Sequence, residues 1–196
     1  MTYNYIAIEG NIGSGKTTLA KKLSESLRCK LILEEFEENS YLPKFYEDPE
    51  RNAFPLEMSF LAERYKQLKN IDIKEGIVSD YIFDKSWLFA SINLGNAEAK
   101  VYKKVYKILN NLLPKPELII LLESSSEYLL NRIADRGRNY ELNIKNDYLD
   151  QIDAKYNSHF SKKRFKNIIR IDTNTIDLNN GEEYNKLLVR LTNKQT

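Results

Sequence analysis

One stretch constrains this chain more than any other: Gly10-Asn11-Ile12-Gly13-Ser14-Gly15-Lys16-Thr17-Thr18. It follows the apolar run at residues 5–8 and precedes Leu19, Leu23 and Leu27, which share one face of a helix. Strand, glycine-rich turn and helix form the context in which G-x-x-x-x-G-K-[ST] grips phosphate. Glycines let backbone N–H groups converge on one spot. The helix N-terminus behind them adds partial positive charge. Lys16 reaches the β and γ phosphates, and the Thr17 hydroxyl can ligate Mg²⁺. The bland alternative is a glycine-rich βα turn. With every motif position filled and both flanks correct, the expectation is nucleoside triphosphate binding.

A chain of 196 residues suits one domain carrying a mobile flap. A net charge of +2 argues against a polyanion such as nucleic acid as partner. The basic run Lys162-Lys163-Arg164-Phe165-Lys166 reads as a solvated helix end. Cys29 is the single cysteine, which excludes an internal disulfide and fits a reducing, cytoplasmic setting. The longest aliphatic run, residues 118–122, is too short to cross a bilayer, and no signal sequence is expected at the start. One histidine, His159, reads as a surface residue of a polar helix. With one histidine and one cysteine, no histidine-based triad or metal cluster can be built.

Along the chain, strands are expected over 3–8, 31–33, 76–80, 117–123 and 167–172. Helices are expected over 16–27, 41–46, 51–68, 83–94, 97–113, from Ser125 or Ser126 to 135, over 147–163 and over 182–192. In the 51–68 helix, Phe54, Met58, Leu61, Tyr65 and Leu68 recur at helical spacing, and Glu57 and Arg64 share a different stripe. Alternating strands and helices argue for an α/β fold: a five-stranded parallel sheet with helices on both faces in three layers. Ligands bind such sheets at the carboxyl ends of the strands. Glu34, Asp80 and the phosphate loop all fall at that edge.

Phosphoryl transfer needs a triphosphate clamp, a metal, an orienter for the nucleophile and positive charge on the transferred group. Asp80, ending the third strand, suits Mg²⁺ opposite Thr17; the alternative is a carboxylate capping the next helix. Glu34 can accept a proton from an attacking hydroxyl, with Glu35 on the opposite face; the alternative is a solvated acidic run with Glu37 and Glu38. Arg132, Arg136 and Arg138 surround Gly137, a hinge for a lid over about 132–144 that closes on phosphates. The alternative is surface pairing with Glu141 or Asp135.

These pieces together resemble the deoxynucleoside kinase family over nearly the whole chain. The resemblance rests on the residue 9–18 loop and on Leu33-Glu34-Glu35-Phe36-Glu37-Glu38-Asn39. It rests further on Phe54-Pro55-Leu56-Glu57-Met58-Ser59-Phe60 and Arg136-Gly137-Arg138-Asn139-Tyr140-Glu141. It implies a P-loop kinase fold, usually dimeric, that phosphorylates the 5′-hydroxyl of a deoxynucleoside with ATP and Mg²⁺. By resemblance Glu34 is the base, Tyr46 and Glu141 hold the sugar 3′-hydroxyl, Glu57 and Arg64 read the nucleobase edge, and Phe89 stacks on the base. Two departures stand out. The family's acid-Arg-Ser triplet after the third strand is here Asp80-Tyr81-Ile82, leaving Lys85, one helical turn on, to replace the arginine. Glu57 stands where glutamine is frequent. An ionised glutamate offers acceptors only, which suits the adjacent donors of guanine, with Arg64 donating to O6. A purine is therefore expected, deoxyguanosine before deoxyadenosine; the alternative is that Glu57 and Arg64 pair along their helix.

The nearest rival is a nucleoside monophosphate kinase resembling thymidylate kinase, which needs cations for an acceptor phosphate and no Glu34. A P-loop GTPase-like switch module is more remote, since Asn193-Lys194-Gln195-Thr196 lacks the acid of a guanine-reading Asn-Lys-x-Asp stretch.

Overall fold

The computed structural model describes residues 3–161, 165 and 167–192. Most of the basic run (Lys162–Arg164 and Lys166) and the Asn193–Thr196 stretch lie outside the described residues.

Five strands form the sheet: β1 (Tyr5–Gly10), β2 (Lys30–Ile32), β3 (Ile77–Ser79), β4 (Leu118–Glu123) and β5 (Ile168–Asp172). All pairs are parallel, in the order β2-β3-β1-β4-β5. Among the described residues eight α-helices accompany them: α1 (Lys16–Leu27), α2 (Tyr41–Glu47), α3 (Pro49–Leu68), α4 (Lys85–Asn93), α5 (Asn96–Asn110), α6 (Ser126–Arg136), α7 (Asn146–Phe160) and α8 (Gly181–Thr192). The α/β three-layer expectation holds, with boundaries shifted by a few residues. Three residues are trimmed at α4 and at the end of α5 and two at β3, while β2 shifts by one residue.

Alternation along each strand splits the interior in two. Ile6, Ile8, Val78, Ile120, Leu122 and Ile171 face Leu19 and Leu23 of α1 and Tyr184, Leu187 and Leu191 of α8. Tyr5, Ala7, Ile77, Ile119 and Leu121 face α3, α4, α5 and α7. Central strands buried on both faces explain why β1 and β4 read as continuous apolar runs. Among the described residues no helix is long and apolar enough to cross a membrane.

Local signals place the helices that carry the site. Asp48 caps α3 by accepting the Arg51 N–H, and Pro49 opens the helix where no N–H is needed. Ser125 caps α6, and Gly137 ends it in the left-handed region at φ 70°. The buried stripe of α3 differs from the apolar one: it runs Ala53, Leu56, Glu57, Leu61, Arg64, Leu68, while Phe54, Met58 and Tyr65 are only partly buried. Two charged residues occupy interior positions because α3 borders the cleft, where each finds a partner.

His159 also departs from expectation. It is buried, with Nε2 3.1 Å from Asp84 Oδ1 at the start of α4. Helical spacing from Tyr156 and Ile152 turns it inward, which its polar neighbours in sequence conceal.

Gly10 ends β1 at φ 148°, and a Cβ there would lie 2.5 Å from the Leu122 carbonyl oxygen and 2.8 Å from Ser14 Oγ. The first neighbour is backbone and cannot yield cheaply. Gly10→Ala is therefore expected to cost about 2 kcal/mol, lowering the melting temperature by about 4–8 °C. An unchanged thermal melt would contradict this account of the loop.

Candidate active site

The phosphate loop leaves β1 and enters α1 through Gly15, which holds the N-cap position at φ 93° without a side-chain cap. The first N–H groups of α1 thus stay available to a ligand. Lys16 bends back across the loop, donating to the Asn11 carbonyl at 2.8 Å. Asn11 is itself tied down, its Nδ2 donating to the Leu149 carbonyl of α7 at 2.8 Å. Ser14 Oγ is buried and has no partner among the described residues, a donor left over beside an anion site. Burial, with Lys85 nearby, lowers the Lys16 ammonium to about 8, although Glu9, Glu34 and Asp80 pull it upward.

Opposite the loop, Glu34 sits two residues past β2. Its N–H donates to Asp80 Oδ1 at 2.8 Å, which fixes the backbone that carries it. Its carboxylate meets two cations. Arg64 of α3 reaches Oε1 through Nε at 2.8 Å and Nη2 at 2.5 Å. Lys85 of α4 reaches Oε2 at 2.6 Å. Burial alone would raise this carboxyl, but Lys85 and Arg64 outweigh it and hold it at about 2. Glu34 is therefore ionised, oriented and at the wall of the cleft; β2 ends at Ile32, so strand alternation does not reach Glu35, which is exposed and borders the same cleft instead of facing away from it. Lys85 occupies the place expected of a replacement for the missing arginine.

Asp80, just past β3, accepts from the Thr17 hydroxyl through Oδ2 at 2.6 Å. Two hard oxygen donors thus converge beside Lys16. No three His, Cys, Asp or Glu side chains cluster into a metal cage among the described residues. Thr17 and Asp80 fit Mg²⁺, which takes one or two protein oxygens and fills the rest of its sphere with phosphate and water.

The arginine-rich segment closes the far side. Arg132 projects from α6 toward the phosphate loop, its Nη2 3.6 Å from where a Gly15 Cβ would stand, and donates to the Tyr128 hydroxyl. Arg136 and Arg138 both engage Glu141, which is buried. Arg138 also covers the Phe36 ring at 4.3 Å from its centroid and lies 3.8 Å from Glu37. The pairing with Glu141, posed as the alternative to a lid, is present here. Tyr46 of α2 stacks on Tyr140 at 6.1 Å, near Glu141, so the expected sugar-holding pair is brought together.

At the deep end Glu57 is buried, one oxygen accepting from Asn93 at 2.7 Å. Phe89 lines the same cleft, with the Lys85 ammonium 5.5 Å from its ring centroid. The expected role of Arg64 needs correction. Its guanidinium is spent on Glu34 and on Ser86 Oγ, 2.9 Å from Nη1. It neither pairs with Glu57 along α3 nor points a free fork at a base edge.

Lys16, Thr17, Glu34, Glu57, Arg64, Asp80, Lys85, Phe89, Arg132, Arg136, Arg138, Glu141 and Tyr46 all line one cleft of about 1150 Å³, more room than one small molecule needs. Sequence reading missed two features. Asn93 and Tyr148 line the cleft beside Glu57. A second hollow, behind the loop, is bounded by Thr18, Lys22, Tyr128, Arg132, Thr173 and Asp177. The only signal for the hollow was its place at the carboxyl ends of β4 and β5.

Comparison with known proteins shows which family the chain resembles. A family model described as deoxynucleoside kinase matches residues 6–195. The chain is 43% identical over 160 residues to deoxyguanosine kinase of Bacillus subtilis (strain 168), covering 79% of this chain and 77% of that one. It is 34% identical over 186 residues to deoxyadenosine/deoxycytidine kinase of the same organism, covering 90% and 86%. Among solved structures, deoxyadenosine kinase from M. mycoides with bound dATP superposes with a TM-score of 0.84 at 26% identity, covering 96% of this chain and 99% of that one.

The depressed Lys16 ammonium has a measurable consequence. Free Lys16 loses its proton above about pH 8, whereas a bound triphosphate requires it charged. Affinity for a non-hydrolysable nucleoside triphosphate, followed by calorimetry, is expected to fall above pH 8 by up to about tenfold per pH unit. Affinity unchanged to pH 9.5 would contradict it.

Proposed function

The chain belongs to the deoxynucleoside kinase family and phosphorylates a deoxynucleoside, and from that premise we propose that it transfers the γ-phosphoryl group of ATP to the 5′-hydroxyl of a purine deoxynucleoside, deoxyguanosine before deoxyadenosine. The observation that carries the reading is the Glu34 carboxylate, held ionised by Arg64 and Lys85 in the cleft it shares with Lys16.

In this scheme the 5′-hydroxyl donates to Glu34. The new bond forms between O5′ and the γ-phosphorus while the bridge to the β-phosphate oxygen breaks. The hydroxyl proton passes to Glu34, and ADP leaves. The transition state is loose, with little nucleophilic bond formation early on, so a weakly basic carboxylate serves as orienter first and proton acceptor last. Residues Gly10 to Thr18 cradle the phosphates, and Lys16 bears on the transferred group. Thr17 and Asp80 would hold Mg²⁺, which when bound neutralises phosphate charge.

Arg132, Arg136 and Arg138, on a lid over about 132–144, supply the remaining positive charge. Arg136 and Arg138 reach it by exchanging Glu141 for phosphate. Glu141 is then free, with Tyr46, to take the sugar 3′-hydroxyl. Phe89 stacks on the base, and Glu57 accepts from its edge. Arg64 acts as a positioning residue on Glu34. The hollow bounded by Lys22, Tyr128 and Asp177 suits the donor's base, because it adjoins the loop on the side away from Glu34.

Two copies are proposed to pair through α4 and α5, where Val101, Ile108 and the adjoining Leu112 leave an apolar stripe exposed. A cytoplasmic setting is proposed as well, supported by a single cysteine, Cys29, which leaves no internal disulfide.

The test is phosphate transfer from labelled ATP to each of the four deoxynucleosides and to their monophosphates. Deoxyguanosine is expected to give the highest kcat/KM and monophosphates none. A preference for thymidine or deoxycytidine, or for a monophosphate acceptor, would contradict the reading.

A further inference from the structure

Asn93 and Tyr148, which no motif marks, treat the two oxygens of Glu57 unequally. Oε1 accepts from Asn93 Nδ2 at 2.7 Å. Oε2 is buried and has no partner among the described residues. A bare buried acceptor costs about 1–3 kcal/mol, so Oε2 is the atom that gains most from a ligand's hydrogen bond. The Asn93 amide cannot turn over without loss, because its Oδ1 accepts from the Tyr148 hydroxyl at 3.1 Å. Its nitrogen therefore faces Glu57.

This arrangement restricts where a proton on Glu57 can sit. Oε1 already receives an N–H, so the proton belongs on Oε2, the oxygen without a partner among the described residues. Ionised, Oε2 only accepts; protonated, it donates. Guanine carries a donor at N1, and adenine carries an acceptor at the same ring position. Resting on the reading that this cleft takes a purine deoxynucleoside, we infer that Asn93, oriented by Tyr148, is a specificity-determining residue that confines the charge change of Glu57 to the atom facing the base, so that the ionised enzyme favours deoxyguanosine and the protonated enzyme accepts deoxyadenosine.

The surroundings put that change in a useful range. Burial raises the Glu57 carboxyl to about 7. Arg64, the Asn93 hydrogen bond and Lys85 lower it, and Glu34 raises it. From α5 the Tyr102 hydroxyl lies 3.4 Å from the Glu57 carbonyl, and from α7 Tyr148 adds a neutral phenol. The sign is fixed: Glu57 is neutral below about 7 and charged above it. Losing the Asn93 donor moves the midpoint up, since that bond favours the charged form.

The experiment measures kcat/KM for deoxyguanosine and deoxyadenosine from pH 6 to 8.5 and takes their ratio, which cancels titrations common to both substrates. The ratio is expected to rise by about tenfold or more across neutrality. Glu57→Gln should flatten it. Asn93→Leu should move the midpoint upward, and Tyr148→Phe, which removes one hydroxyl only, should move it in the same direction by less. A flat wild-type ratio with purines still accepted overturns this inference alone. So do Asn93 and Tyr148 variants that fold, as judged by circular dichroism, and keep the wild-type midpoint. Failure to accept either purine overturns the purine reading and this inference together.

Discussion

A carboxylate between two cations, largely buried at the wall of the cleft, is the contact on which the site depends. Removing Glu34, Arg64 and Lys85 from solvent carries a large desolvation cost, and close opposite charges offset it only when the geometry is good. Here Arg64 gives two donors to one oxygen and Lys85 one to the other. The three come from the β2–α2 connection, α3 and α4, so their meeting fixes how those elements pack beside the sheet edge. Asp80 ties the group to the phosphate loop, with one oxygen on the Glu34 N–H and the other on Thr17. The acceptor and phosphate sides are thereby set at one spacing.

The helix α7 reads as the spine behind this arrangement. One face of it makes four polar contacts, one to a residue of the cleft wall and three to residues behind it. Tyr148 meets Asn93, the Leu149 carbonyl takes Asn11, Tyr156 donates to buried Glu9 at 2.7 Å, and His159 pairs with Asp84. Glu9, raised by burial, also accepts the Ile82 N–H at 2.8 Å. A buried carboxyl satisfied this way joins β1 to the start of α4, next to Lys85.

Much of the fold was readable from sequence because its signals are local. The glycine loop, the Asp48-Pro49 start of α3, the Gly137 stop of α6 and the unbroken apolar β4 each declare themselves within ten residues. Glu34 and Asp80 were readable as strand-end acids. Partners distant in sequence were not. Arg64 lies thirty residues from Glu34; family resemblance set it at the base edge beside Glu57, and helical spacing offered only a pairing with Glu57 as the alternative. His159 looked exposed because its neighbours are polar, although helical spacing from Ile152 and Tyr156 puts it on the inner face, where it meets Asp84. Asn93 and Tyr148 are unremarkable polar and aromatic residues until α4 and α7 cross. The missing arginine after β3 marks the limit from the other side: the need for positive charge at Glu34 was visible, and one helical turn was enough to nominate Lys85.

The account stands or falls on what the Glu34 carboxylate does for the acceptor hydroxyl. The most direct measurement is single-turnover phosphoryl transfer by Glu34→Gln beside deoxynucleoside binding by the same variant. The glutamine keeps the shape, cannot take the proton and no longer balances Arg64 and Lys85. The transfer rate is expected to fall by about 10²–10⁴ with deoxynucleoside affinity changed only a few-fold. A transfer rate within about fivefold of the unaltered enzyme would contradict it.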